Sequence, residues 1–227
     1  MSSPEADCVF LVDVDNTLLD NDRIQANIRE HLASAYGAEG RDRYAQILQQ
    51  LWDTLGYRDY LGALQRYRAE HPQHVELMAM APWLLDYPFA QRLYPGALDV
   101  LAHLQQAGPV VILSDGDVVF QPRKVQRAGL FDAVAGRVLI YIHKEQALDD
   151  VQRRYPARHY VLVDDKPRIL QAVKRQWGDQ VTTVLPRQGQ YAHDAAALAA
   201  APAPDLQVES IAELLTHDAH LLARRKP

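Results

Sequence analysis

The sequence has very little cysteine and no long apolar run. The first absence excludes a disulfide-stabilised protein, and the second excludes a membrane-spanning one. Cys8 is the single cysteine among 227 residues, which excludes an internal disulfide framework and favours a reducing compartment. No apolar run approaches the roughly 18 residues that a membrane-spanning helix needs. The N-terminal residues 1–7 have neither a positive region nor a long apolar stretch, so we expect no secretory signal. These features predict a soluble cytoplasmic protein with no membrane partner.

The chain also lacks an excess of positive charge. Its formal net charge is −5 and its pI is near 6.0, so no basic field attracts nucleic acid and we expect no nucleic-acid partner. The hydrophobic content of 48% and the charged content of 23% are ordinary globular values. A chain of this length can bury roughly 70% of its unfolded surface. It can therefore form one large domain, or a core with a smaller second domain.

Five short apolar runs that are rich in β-branched residues predict buried strands. Helical patterns separate the later runs, and Pro167 predicts the start of a helix that Gly178 ends after Trp177. Strands that alternate with helices predict an α/β fold with a parallel sheet covered on both faces. The five predicted strands lie at 8–12, 110–113, 138–142, 160–163 and 181–185.

The segment 21–92 has no strand pattern, and its apolar spacing predicts helices. It is too long for a simple crossover, so we expect an inserted all-helical domain at 21–92 and a core formed by 1–20 and 93–227. The turn at 56–60, together with Arg66, either faces a substrate or is only an exposed connection. An amphipathic stripe predicted to form the core of the inserted domain runs through Tyr44, Ile47, Leu48, Leu51, Trp52 and Leu55.

Polar residues follow four of the predicted strands, at the edge of a parallel sheet where ligands bind. Four carboxylates gathered there would repel one another unless a cation were bound or their pKa values were raised. Oxygen ligands favour Mg²⁺ over zinc or copper. A cation, an ammonium and a hydroxyl beside backbone N–H groups suit a phosphate, whose phosphorus a free carboxylate can attack. The residues are Asp13, Asp15, Ser114, Lys144, Asp164 and Asp165.

These residues carry a resemblance to a known family. The segment Asp13-Val14-Asp15-Asn16-Thr17-Leu18 resembles the first motif of the haloacid dehalogenase-like hydrolase superfamily. Ser114-Asp115-Gly116 resembles the second motif, Lys144 the third, and Asp164-Asp165 the acidic fourth. The motifs follow the family's order across nearly the whole chain, and the helical insertion lies where the family carries its C1-type cap. The resemblance implies a Rossmann-like core with a helical C1 cap.

The resemblance also implies an activity, the magnesium-dependent hydrolysis of a small phosphorylated metabolite. Asp13 would be the nucleophile that forms an aspartyl-phosphate. Asp15 would protonate the leaving alcohol and then activate water. Lys144 would neutralise charge between the nucleophile and the phosphate.

The binding residues follow from the same resemblance. The phosphoryl oxygens would be held by the second motif, which consists of Ser114, Asp115 and Gly116. The Mg²⁺ ligands would be Asp13, the backbone carbonyl of Asp15, and Asp165, with Asp164 behind Asp165. The order of the last two stays open, and the pair could also cap the helix that begins at Pro167.

Other readings remain open. A phosphoglucomutase-like phosphotransferase would use the same core and shield the aspartyl-phosphate from water, and a non-catalytic ligand-binding module could use the same fold. A dehalogenase is less favoured, because family dehalogenases need no metal and lack the second aspartate, which is Asp15 here. A phosphonatase would need a lysine in the cap, and 21–92 contains none. Lys124 competes with Lys144 for the lysine role, and we expect His143 to be structural.

Overall fold

The computed structural model describes residues 5–74, 77–194, 198 and 202–224. It contains a six-stranded sheet, parallel throughout, with the strand order β3-β2-β1-β4-β5-β6. The predicted α/β class is confirmed, and five strands coincide with the predicted apolar runs. The sixth, β6, is only three residues long and carries no periodic signal. The strands are β1 Ala6–Val12, β2 Val110–Asp115, β3 Val138–Tyr141, β4 Ala157–Val163, β5 Val181–Pro186 and β6 Leu206–Val208.

Strand β1 lies in the middle of the sheet and is covered on both faces. It pairs with β2 through Phe10 and Val110 and with β4 through Phe10 and Val161. Alternating side chains enter two separate apolar clusters, so that Phe10 and Val12 pack on one face while Val9 and Leu11 pack on the other. This explains why the run reads as continuously apolar, as buried parallel strands do.

The strand order reverses beside β1. The chain runs outward from β1 to β2 and β3, then returns to place β4 on the other side of β1. In doubly wound sheets this switch point opens a crevice at the carboxyl ends of the two strands, because their connections leave in opposite directions. Here the crevice lies between the ends of β1 and β4, and these strands are followed by 13–15 and 164–165.

Nine α-helices are present in the described part of the chain, and no described helix is long and apolar enough to cross a membrane. The predicted helix after β4 runs from Pro167 to Trp177 and ends at Gly178, as the sequence indicates. The helices are α1 Asn21–Leu55, α2 Tyr60–Glu70, α3 Leu77–Leu85, α4 Ala97–Leu104, α5 Phe120–Arg127, α6 Leu130–Ala133, α7 Leu148–Arg154, α8 Pro167–Trp177 and α9 Ala219–Leu222.

The helical insertion consists of α1, α2 and α3, and its division from the core at residues 20 and 93 stays a prediction. Its two connections run side by side, because Asp20 N–H donates to Arg92 O at 2.8 Å and Tyr94 N–H donates to Leu18 O at 2.9 Å. The helix α1 is broken at Gly37, whose φ of 70° and ψ of 179° are not helical.

The predicted apolar stripe of α1 is buried only in part. Its first four members, at 44, 47, 48 and 51, are buried. The last two were wrongly assigned to the core, because Trp52 is 37% exposed and Leu55 is 36% exposed. Both lie in the final turn of α1, directly before the Gly56 cap.

The break in α1 gives the first testable prediction. The backbone of Gly37 lies in a region that is almost reserved for glycine, so Gly37→Ala should lower the free energy of unfolding by about 1–3 kcal/mol. Gly129→Ala is the matched control, since Gly129 has φ 79° and ψ 1° and neither position has an atom within 4 Å of an added Cβ. Chemical denaturation should show the larger loss for Gly37→Ala, and equal losses would contradict the strain argument.

Candidate active site

Three buried carboxylates meet at the switch point of the sheet. Asp13 follows β1, Asp164 and Asp165 follow β4, and all three are at most 1% exposed. Each offers one oxygen, and these oxygens lie within 4.8 Å of one another. The hydrogen bonding of the sheet continues past the ends of β1 and β4 to these aspartates. Asp13 N–H donates to Val163 O, and Asp164 N–H donates to Val184 O. The sheet itself therefore holds these acids together.

Lys144 supplies the ammonium of this acid cluster. It follows β3 at the start of the 3₁₀ helix Lys144–Gln146. Its Nζ lies 2.5 Å from Asp13 Oδ1 and 2.6 Å from Asp164 Oδ2, and it donates to Leu113 O at 3.2 Å. Burial lowers the pKa of Lys144, but the charges of Asp13 and Asp164 outweigh burial and raise this pKa above its usual value. The side chain is therefore a fixed cation.

The cluster has more negative charge than Lys144 can balance. Asp13 Oδ2 and both carboxylate oxygens of Asp165 are buried without a hydrogen-bond partner in the described residues. Burial, followed by the charges of Asp164 and Asp13, raises the pKa of Asp165 well above its usual value. Burial likewise raises the pKa of Asp164 to about 6. Unpartnered carboxylate oxygens are the donors that a hard divalent cation prefers, so these three residues fit Mg²⁺.

The predicted second motif lies beside this cluster, but its groups are already engaged. Ser114 Oγ accepts from Gln121 Nε2 at 2.9 Å, and Asp115 Oδ1 accepts from Lys144 N–H at 2.8 Å. Gly116 N–H donates to Tyr141 O at 2.8 Å. The Gly116 amide is therefore paired with a backbone acceptor, and the phosphate role of Gly116 stays a prediction. The phosphate roles of Ser114 and Asp115 stay predictions.

Asp15 lies outside the acid cluster and has its own lysine. Lys124 Nζ donates to Asp15 Oδ1 at 2.7 Å and to Oδ2 at 3.0 Å, and it contacts Asn21 Oδ1 at 3.2 Å. The proposed metal contact of Asp15 through its backbone carbonyl stays a prediction. Lys124 does not take the position of Lys144. One feature of the sequence could have indicated that Lys124 is buried. Lys124 lies on the apolar face of α5, one turn after Phe120 and next to Val125.

A cleft of about 850 Å³, including its opening to solvent, lies above these residues. Asp15, Lys124 and Asp165 form part of its floor. The helical insertion forms a wall that includes most of the predicted 56–60 turn, whereas Arg66 does not line the cleft. The wall residues are Trp52, Gly56, Tyr57, Arg58 and Tyr60.

His143, which we expect to be structural, lines the cleft. Its ring lies against Gly56, where an added Cβ would come within 2.6 Å of His143 Cε1. The turn between α1 and α2 therefore approaches the core closely because it carries glycine. Gly56 also ends α1 in a left-handed conformation with φ 78°, which favours glycine a second time.

Comparisons with known proteins agree with this architecture. The sequence model described as "Hydrolase: haloacid dehalogenase-like hydrolase" matches residues 9–201. A candidate haloacid dehalogenase-like hydrolase from Burkholderia xenovorans LB400 is 57% identical, with a TM-score of 0.90, and the match covers 96% of this chain and 99% of that one. No curated protein matches the chain.

More distant structures share the fold. A candidate HAD-hydrolase from Bacillus subtilis, YfnB, solved with bound magnesium, is 18% identical with a TM-score of 0.63, covering 96% of this chain and 99% of that one. The L-2-haloacid dehalogenase of Xanthobacter autotrophicus is 19% identical with a TM-score of 0.57, covering 93% and 99%. At these identities the likeness concerns the fold alone.

The unpartnered acids predict how the cluster responds to a cation. The pKa of Asp165 is higher in the folded chain than in the unfolded one, so its ionisation destabilises the fold increasingly as pH rises from the unfolded value through the folded one. Without metal at neutral pH, Asp165→Asn should therefore raise the midpoint of thermal unfolding by about 5 °C. Mg²⁺ should raise the midpoint of the parent protein but not that of the variant.

The matched control is Asp179→Asn, at an exposed position away from the cluster. It should keep the parent's midpoint and the parent's response to Mg²⁺ in the same differential scanning fluorimetry experiment. An equal Mg²⁺ response in Asp165→Asn and in the parent would show that the cation is held elsewhere.

Proposed function

Because this chain belongs to the haloacid dehalogenase-like hydrolases, we propose that it hydrolyses small phosphate monoesters with Mg²⁺, through an aspartyl-phosphate on Asp13. The observation that carries the proposal is the pair of separate lysine–aspartate contacts after β1. Lys144 holds Asp13 within the acid cluster, while Lys124 holds Asp15 beside the cleft. Two aspartates in two different environments can take two different roles in one reaction.

The reaction needs both aspartates. A carboxylate oxygen of Asp13 attacks phosphorus, and the bond between phosphorus and the ester oxygen breaks. Asp15 gives its proton to the leaving oxygen, so the alcohol departs neutral. Asp15, now ionised, takes a proton from water as the water oxygen attacks the aspartyl-phosphate. The bond between phosphorus and Asp13 breaks, which releases inorganic phosphate and restores both carboxyl groups.

Lys144 and the acid cluster would supply the charge that this chemistry requires. Lys144, 2.5 Å from Asp13 Oδ1, orients the nucleophile and reduces its repulsion toward an anionic phosphoryl group. Asp13, Asp164 and Asp165 would hold Mg²⁺, which when bound adds the positive charge that stabilises the transferring phosphoryl group.

Asp15 also favours phosphate over a halogenated substrate. Displacing a halide from carbon releases an anion that needs no proton, so a second aspartate has no part to take in that step. The unpartnered oxygens of Asp165 likewise favour a reaction that uses a cation. Phosphate monoester hydrolysis accounts for both groups.

The proposal is tested by measuring products with the Mg²⁺-loaded protein. A panel of phosphate monoesters should release inorganic phosphate, and 2-haloacids should release no halide. Asp13→Asn should lower kcat by at least about 10³-fold, because the nucleophile is lost. Chelation should abolish turnover and Mg²⁺ should restore it.

The exposed Asp179→Asn variant is again the control and should keep full turnover. Isomerisation of a phosphosugar without phosphate release would instead indicate a phosphotransferase. Halide release that persists without metal would contradict the proposal.

The wall of the cleft indicates which phosphate esters the protein would prefer. Four cationic side chains line the cleft, and three of them have a carboxylate partner. Lys124 pairs with Asp15, Lys166 with Asp115 at 3.8 Å, and Arg168 with Glu145 at 3.0 Å. Among the described residues, the fourth cation, Arg58, has no carboxylate partner, and its guanidinium lies 5.3 Å from the centre of the Trp52 ring. Arg58 is therefore available to a second anionic group of a substrate.

Arg58→Gln should raise KM about 10-fold or more for esters that carry an additional carboxylate or phosphate, since a hydrogen bond to a charged group is lost. The KM of alkyl phosphates whose alkyl group carries no charge should change little. The kcat values of both classes of ester should also change little. Arg66→Gln is the matched control, because Arg66 does not line the cleft. The measurement is steady-state kinetics on both classes of ester. An equal change in KM for the two classes in Arg58→Gln would contradict this role.

A further inference from the structure

Lys124 is a fully buried cation that contacts neither Asp13 nor the rest of the acid cluster in the described structure. It is 1% exposed, whereas the Asp15 side chain that it contacts is 25% exposed. A buried ammonium is costly to desolvate and is found where its contacts compensate that cost. Its acceptors are both carboxylate oxygens of Asp15 and the side-chain oxygen of Asn21. This contact set explains the burial of Lys124.

The double contact restricts Asp15 more than a single hydrogen bond would. With Nζ at 2.7 Å and 3.0 Å from the two oxygens, rotation of the carboxyl group about the Cβ–Cγ bond breaks at least one contact. The exposed part of Asp15 faces the cleft, which both residues line. The ammonium thus fixes the direction in which the carboxyl group presents its free edge.

Lys124 is itself held in place. The helix α5 places Phe120 one turn before it, and the Phe120 ring centre lies 5.5 Å from Nζ. The Phe120 ring packs against the ring of Tyr60 in the helical insertion, with 4.7 Å between ring centres. It also packs against the ring of Phe89, with 5.8 Å between ring centres. Asn21, the third acceptor, is the first residue of α1. The ammonium is therefore restrained by both the core and the insertion.

We infer that Lys124 is a positioning residue that aligns the Asp15 carboxyl group with the leaving oxygen of the substrate. The inference rests on the proposed function, in which Asp15 transfers a proton to that oxygen. Lys124 acts through Asp15 and not on the phosphoryl group. Its loss therefore affects the protonation of the leaving group more than the attack by Asp13.

The test compares two substrates that differ in their need for a proton. The phenolate of p-nitrophenyl phosphate departs without protonation, whereas the alkoxide of an alkyl phosphate such as β-glycerophosphate needs a proton. Values of kcat/KM report the steps up to loss of the leaving group. Lys124→Gln keeps a donor but loses the double contact, and should lower kcat/KM about 10²-fold for the alkyl phosphate, the usual size of a general-acid effect. For p-nitrophenyl phosphate the loss should be several-fold smaller.

The matched control is Lys174→Gln, which removes another lysine–aspartate pair, Lys174 with Asp205 at 2.8 Å, away from the cleft. It should leave the ratio of the two kcat/KM values unchanged, whereas Asp15→Asn should shift the ratio in the same direction as Lys124→Gln and further. Circular dichroism and thermal unfolding check that each variant is folded.

Asn21→Ala provides a second variant if Lys124→Gln does not fold. It keeps Lys124 and removes only the third acceptor. It should shift the ratio in the same direction by about 2- to 10-fold, the rate equivalent of one hydrogen bond. Equal losses on the two substrates in these variants would overturn the positioning role while leaving phosphatase activity intact. A parent protein that releases no phosphate from either substrate would instead overturn the proposed function.

Discussion

Repulsion among three buried carboxylates is the constraint on which the site depends. Asp13, Asp164 and Asp165 are held within 4.8 Å of one another by strands that cannot separate without breaking the sheet. Lys144 balances part of this charge through contacts to Asp13 and Asp164. Burial, followed by the charges of Asp164 and Asp13, raises the pKa of Asp165, and the two carboxylate oxygens of Asp165 have no hydrogen-bond partner within the described part of the chain. The fold therefore maintains a region of negative charge that a divalent cation would relieve, and this charge costs stability when no cation is bound.

The parallel sheet explains why such a costly arrangement is possible. A buried central strand such as β1 supplies apolar contacts on both faces, and these contacts offset the unfavourable charges that follow its last residue. The reversal of strand order beside β1 opens the crevice at that point, so the acids meet where space for a ligand already exists. The apolar contacts that stabilise the fold lie along the central strands, and the candidate site lies at the carboxyl ends of these strands.

Sequence patterns predicted the regular parts of this architecture and missed those that depend on distant contacts. The five long strands and the helix from Pro167 to Trp177 follow from local apolar patterns and from proline and glycine, and they were confirmed. The exposure of Trp52 could not be predicted, because periodicity identifies an apolar face but not which of its residues line a cleft. The acceptor of the Gly116 amide, Tyr141 O, could not be predicted either, since it belongs to a strand that is distant in sequence.

The two lysines illustrate the same limit and show what the structure adds. From the sequence, Lys124 and Lys144 compete for one role, because a pattern of residue types cannot tell which carboxylate each ammonium meets. In the folded chain they serve different aspartates, Lys144 at the end of β3 facing Asp13 and Lys124 on α5 facing Asp15. In the proposed mechanism, a single shared lysine would couple the nucleophile Asp13 to the proton donor Asp15, so that any movement of one would disturb the other. With separate partners, Asp13 is held by Lys144 at the end of the sheet, while Asp15 is held by Lys124, which in turn contacts Asn21, the first residue of α1.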